Sequence, residues 1–169
     1  MKRRNVTSNF KKPNPMKTLL YFILILSQYC FSQKPKPFKT CSKTVNYSVD
    51  DWEFRKKVGM DLKIPDCNPS YAGGVEELHK YFKANSVSNS YTYTSSISFV
   101  VNCKGKVGNY QIVNGKEDMG IYAEQVLEKV KKMPQRWKPA ISKEDKPVDS
   151  YQILQFTIVK GKFRDVDYK

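Results

Sequence analysis

The sequence predicts an α+β domain, a small antiparallel sheet of about three strands with two helices packed on one face. Three observations carry this. Residues 96–101 and 107–113 are runs of β-branched, aromatic and small residues flanking the turn Asn102-Cys103-Lys104-Gly105-Lys106, which reads as a hairpin. Residues 75–83 and 118–133 repeat apolar side chains at helical spacing. Residues 151–159 form a last apolar-rich strand. The order helix, strand, strand, helix, strand allows both helices to bury their stripes on one sheet.

The chain has 169 residues, enough for one ordinary domain. Its net charge of +14 is uneven. The first 32 residues hold six Lys or Arg and no acid, leaving 24 basic and 16 acidic residues, a net of +8, beyond them. After Lys17 comes an apolar run over residues 19–26, far shorter than the roughly 20 residues that span a bilayer. A basic flank, a short apolar core and small residues beyond it describe a secretory signal over residues 1–32, cut between Ser32 and Gln33. Met16-Lys17 would serve as an alternative start, and an uncleaved anchor is the competing reading; the membrane is then touched only through that segment. Lipoprotein processing at Cys30 is disfavoured by the bulky Tyr29 before it.

Residues 33–68 read as a linker and N-terminal extension. Lys34-Pro35-Lys36-Pro37 is stiff. Residues 50–58 resemble a short helix, with acids at its start and bases at its end to suit the helix dipole, and Gly59 stops it. Pro65 and Pro69 bracket Cys67 in a loop. The domain proper is expected at residues 69–163. Its first helix carries Val75, Leu78 and Phe82 on one stripe, with Glu76 and Glu77 in the first turn. Its second carries Met119, Tyr122, Val126, Leu127, Val130 and Met133, and Pro134 ends it. Trp137 then anchors an extended stretch, a charged loop covers residues 143–147, and residues 164–169 read as a polar tail.

Cys30 leaves with the signal, so Cys41, Cys67 and Cys103 remain in an oxidising compartment, where disulfides persist. Cys67 lies just before the first helix and Cys103 at the far end of the strand after it. An antiparallel return brings those points together, which predicts a Cys67–Cys103 disulfide and a free Cys41. Cys41–Cys67 is the rival pairing.

The residues suggest no enzyme. No CxxC or Cys/His spacing suggests a metal, no Gly-rich phosphate loop occurs, and no cofactor is implied. His79, the only histidine, sits on a helix between acids and bases without a nucleophile motif. The charge beyond residue 32 is mixed along the chain, which describes a solvated surface rather than a nucleic-acid groove.

Residues 69–163 resemble the C-terminal domain of TonB energy transducers. The features that carry this fall in order: Tyr71-Ala72-Gly73-Gly74 with Leu78 and Tyr81-Phe82, the segment ISFVVNCKG over 97–105, residues 108–115, the block Met133-Pro134-Gln135-Arg136-Trp137-Lys138-Pro139-Ala140, and Lys146-Pro147-Val148 before the last strand. The resemblance implies a periplasmic module that pairs a sheet edge with a strand segment of an outer-membrane transporter, which is β-augmentation. A cleavable leader and a four-residue linker depart from a periplasm-spanning transducer. The expectation is therefore a stand-alone binding module for an envelope protein, a transporter among the candidates. A membrane-anchored transducer and a structural envelope protein are the competing functions. The expected binding edge is the last strand, through Tyr151, Ile153, Gln155, Thr157 and Val159, because no charge or proline blunts it. The same edge would serve a homodimer. The alternative is that this strand is central and fully paired.

Overall fold

The structure is a computed structural model that describes residues 37–47, 52–58, 63–114 and 120–169. The signal segment, the Ser32–Gln33 junction and the expected start of the second domain helix at residues 118–119 lie outside these residues. Helix α1 spans Trp52–Val58, α2 Gly74–Lys83 and α3 Gly120–Lys131. The strands are β1 Ser70–Tyr71, β2 Thr92–Val101, β3 Val107–Asn114, β4 Trp137–Lys138, β5 Ala140–Ile141, β6 Pro147–Val148, β7 Ser150–Val159 and β8 Lys162–Tyr168. The main sheet is antiparallel, with four strands in the order β3-β2-β7-β8. Two small pairs, β1 with β4 and β5 with β6, stand beside it. Among the described residues no helix is long and apolar enough to cross a membrane.

Two cores sandwich the sheet. Leu78 and Phe82 of α2 and Val126, Leu127 and Val130 of α3 pack with Ile97, Phe99, Leu154, Phe156 and Ile158. On the other face Phe54 of α1 and Tyr47 pack with Val113 and Ile153. Alternation along a strand sends neighbouring side chains to opposite faces, so β7 delivers Leu154 to one core and Ile153 to the other. Trp137 is buried, stacked edge-on against Tyr71 at 5.5 Å and Phe99 at 5.0 Å.

Three expectations are corrected. The sheet has four strands, because the expected tail forms β8. Lys160 and Gly161 both take positive φ, 50° and 76°, in a two-residue turn whose twist suits a hairpin. Phe163 and Val166 of β8 then bury themselves in the first core, while Tyr168 accepts a hydrogen bond from the Tyr71 N–H at 3.0 Å. The domain also begins earlier than residue 69, since Phe38–Lys169 is one compact unit. The third correction is the disulfide. Cys103 is bonded to Cys41, and Cys67 is free and exposed. Cys67 instead pairs its backbone with Ile141. The N-terminal arm, and not the loop before α2, passes beside the β2–β3 turn.

Candidate binding interface

A sheet of four strands has two edges, and chemistry separates them. On β8 the residues Lys162, Arg164, Asp165 and Asp167 place charge along the strand. Helix α2 overhangs it, with His79 Nε2 lying 2.8 Å from Asp165 Oδ1. Ser86 forms an antiparallel bridge with Lys162 at its start. Charge and cover are the devices that keep an edge from pairing.

Strand β3 has neither charge nor proline over its eight residues. Among the described residues its only strand neighbour is β2. Its first outward group is capped, because the Val107 N–H donates to Gln135 Oε1 at 2.9 Å. An extra residue near Asn109, which takes φ 52°, bulges the strand and re-phases it. Gly108 then lies opposite Val100, and Gln111 opposite Ser98. Asn109, Gln111 and Asn114 are exposed, while Tyr110 and Ile112 are half-buried against the first core. Burial pushes the Tyr110 phenol above its ordinary pKa, against the lowering effects of the Gln135 amide and Lys131.

The arm over residues 38–47 runs from the start of β3 to the start of β7. The Phe38 ring lies on Gly108, where an added Cβ would fall 2.2 Å from the ring. The Lys39 carbonyl accepts a hydrogen bond from Asn102 Nδ2 at 2.9 Å. Cys41 is bonded to Cys103. Behind that bond lies Asp149, 1% exposed. One of its carboxylate oxygens accepts the N–H groups of Cys41 and Ser42 at 2.7 and 2.8 Å, and the other accepts that of Cys103 at 2.8 Å. A buried carboxylate with three backbone donors is well satisfied, and it ties both halves of the disulfide to the β6–β7 junction. Further on, the Asn46 carbonyl accepts from the Tyr151 N–H at 2.9 Å.

The expected binding edge is therefore not an edge. Tyr151 is paired with Val100 and covered outwardly by Asn46; Ile153 is paired with Ser98, and its carbonyl accepts the Lys169 N–H. Gln155, Thr157 and Val159 are flanked by Ser96, Thr94 and Thr92 on one side and by Asp167, Asp165 and Lys162 on the other. This strand lacks charge because it is a central strand paired on both sides, with Leu154, Phe156 and Ile158 buried on one face and Ile153 on the other. Neither Asp149 nor the Phe38–Gly108 contact leaves a local sequence signal; both join residues far apart in the chain. No protein-family model, no curated protein and no solved structure matches this chain.

Proposed function

We propose that this domain is a binding module of the cell envelope that takes an extended segment of a protein partner onto the outer side of β3, an outer-membrane transporter being the leading candidate. The single observation behind this reading is the contrast between the edges: β8 is charged, bridged and overhung, and β3 is uncharged and free of proline. An added strand would gain backbone hydrogen bonds there, with specificity set by alternate side chains against Tyr110 and Ile112. The resemblance of residues 69–163 to the TonB C-terminal domain supports the same mode, as does the order α2, β2, β3, α3, β7. The Cys41–Cys103 disulfide supports export to an oxidising compartment.

The test is to pan a random dodecapeptide library against the oxidised protein and map the selected peptide by amide chemical shifts. Shifts concentrated on Val107–Asn114 are expected. N-methylation of alternate peptide amides should abolish binding in one phase and spare it in the other, because only every second N–H of an added strand faces its neighbour. Shifts confined to β8 or the helices, or indifference to N-methylation in both phases, would overturn the reading.

A further inference from the structure

We propose that the Cys41–Cys103 disulfide is a redox-sensitive tether that holds Phe38 on Gly108 and so completes the docking edge, with the consequence that reduction weakens partner binding. This inference rests on the strand-addition reading and adds its regulation. Gly108 faces the α1 side of the sheet and has no side chain, and the ring of Phe38 supplies the missing apolar surface. The ring is half-buried, so part of it stays open beside the edge. A strand laid along β3 at the usual spacing of about 4.8 Å would rest a side chain on that ring.

Among the described residues, the anchor between Phe38 and the disulfide is the hydrogen bond from Asn102 to the Lys39 carbonyl. Beyond it, Cys41 is fixed twice, by Cys103 and by the Asp149 carboxylate. Cys41 is exposed, so a soluble dithiol can reach its sulfur. One thiolate of the dithiol attacks Cys41 Sγ, the bond to Cys103 breaks, and Cys103 leaves as a thiolate that takes up a proton. The second thiol of the reductant then displaces Cys41 and closes the reductant's own disulfide. Two electrons and two protons pass to the protein. Residues 38–40 are then held by the Asn102–Lys39 bond without the covalent link beside it and can fray, while Asp149 keeps hold of the arm from Cys41 onward.

The experiment compares Cys67→Ser protein, which removes the spare thiol, with Cys41→Ser/Cys67→Ser/Cys103→Ser protein. Amide hydrogen exchange reads the tether, and the selected dodecapeptide reads binding. Without the disulfide, Gly108 should lose more protection than the β7 amides of Leu154 and Phe156, whose protection falls only with the global stability. The peptide dissociation constant should rise on the order of fivefold, the worth of some 40 Å² of apolar contact. Phe38→Ala in the oxidised protein should weaken the peptide equally, and this holds even if the triple serine variant folds poorly. Unchanged Gly108 protection, or unchanged affinity in Phe38→Ala, overturns the proposal. A peptide that fails to bind β3 even in the oxidised protein overturns the edge reading, and the binding half of this proposal with it. Peptide binding at β3 that ignores both changes overturns the tether alone.

Discussion

Ile153 and Leu154 are neighbours in the chain, both fully buried, yet they belong to different cores. Leu154 packs among the α2 and α3 side chains, and Ile153 packs with Tyr47 and Phe54. A strand buried on both faces is the middle of a layered structure. Truncating either should cost about 2–5 kcal/mol, the range for deleting a large aliphatic side chain from a core. Urea denaturation of Ile153→Ala and Leu154→Ala measures this. A cost under about 0.5 kcal/mol for Ile153→Ala would mean that the arm and α1 do not form a true second core.

That pair also shows what the sequence could and could not reveal. The helices α2 and α3, the β2–β3 hairpin and β7 all carry their periodicity or turn chemistry in adjacent residues, and they were legible. The charged β8 was not, since Arg164, Asp165 and Asp167 mask the burial of Phe163 and Val166. An uncharged run such as 151–159 fits a bare edge and a central strand equally, and only the arm and β8 beside it decide. The disulfide was misplaced for a related reason: the path of residues 38–47 is set by contacts with Asn102, Gly108 and Asp149, more than 60 residues away.

Breaking the disulfide should destabilise the domain. The bond joins residues 62 apart, and closing a loop of that size contributes about 4 kcal/mol in the chain-entropy model. The Cys41→Ser/Cys103→Ser variant should lose stability of that order, while Cys67→Ser, at an exposed site, should stay within about 0.5 kcal/mol of the parent. The opposite ranking would return the bond to Cys67.

Asp149 should matter more than its side-chain size suggests. Asp149→Ala takes the shared acceptor from three backbone N–H groups, and a loss of about 3 kcal/mol is expected. Asp149→Asn keeps an acceptor on one side only. Its amide turns a donor toward the other, so about 2 kcal/mol should be lost. Thermal or urea unfolding of both variants checks the order, alanine below asparagine below the parent.

Alkali should unfold the protein through its phenols. Burial is the leading cause that raises the pKa of Tyr71, Tyr110 and Tyr168. A folded pKa above the unfolded value of about 10 means that folding favours the neutral phenol. That contribution is complete below pH 10 and is lost as pH rises through the raised values. Tyr81, Tyr93 and Tyr151 are raised by burial as well, so tyrosinate absorbance should rise in two phases, exposed rings first and these six with unfolding. A single phase near pH 10 in folded protein would contradict it.

The contact between Phe38 and Gly108 makes the sharpest demand. A methyl group on Gly108 would fall 2.2 Å from the Phe38 Cγ and 2.7 Å from its Cβ, far inside van der Waals contact. Gly108→Ala must therefore expel the ring or push the strand aside, and overpacking of this kind costs about 1–3 kcal/mol. Phe38→Ala removes the ring and leaves Gly108 bare, a smaller loss because the ring is only half-buried. In the double variant the new methyl occupies space the ring has vacated, and β3 gains a residue with better strand propensity than glycine. The double variant should thus be more stable than Gly108→Ala alone, with a coupling of about 1 kcal/mol or more between the two sites. Gly108→Ala should also loosen Lys39 and the arm while leaving β7 and its neighbours intact, which amide exchange can read residue by residue. Strictly additive effects at Phe38 and Gly108 would show that the arm does not lie on the edge strand, and the docking edge would then end at β3 itself.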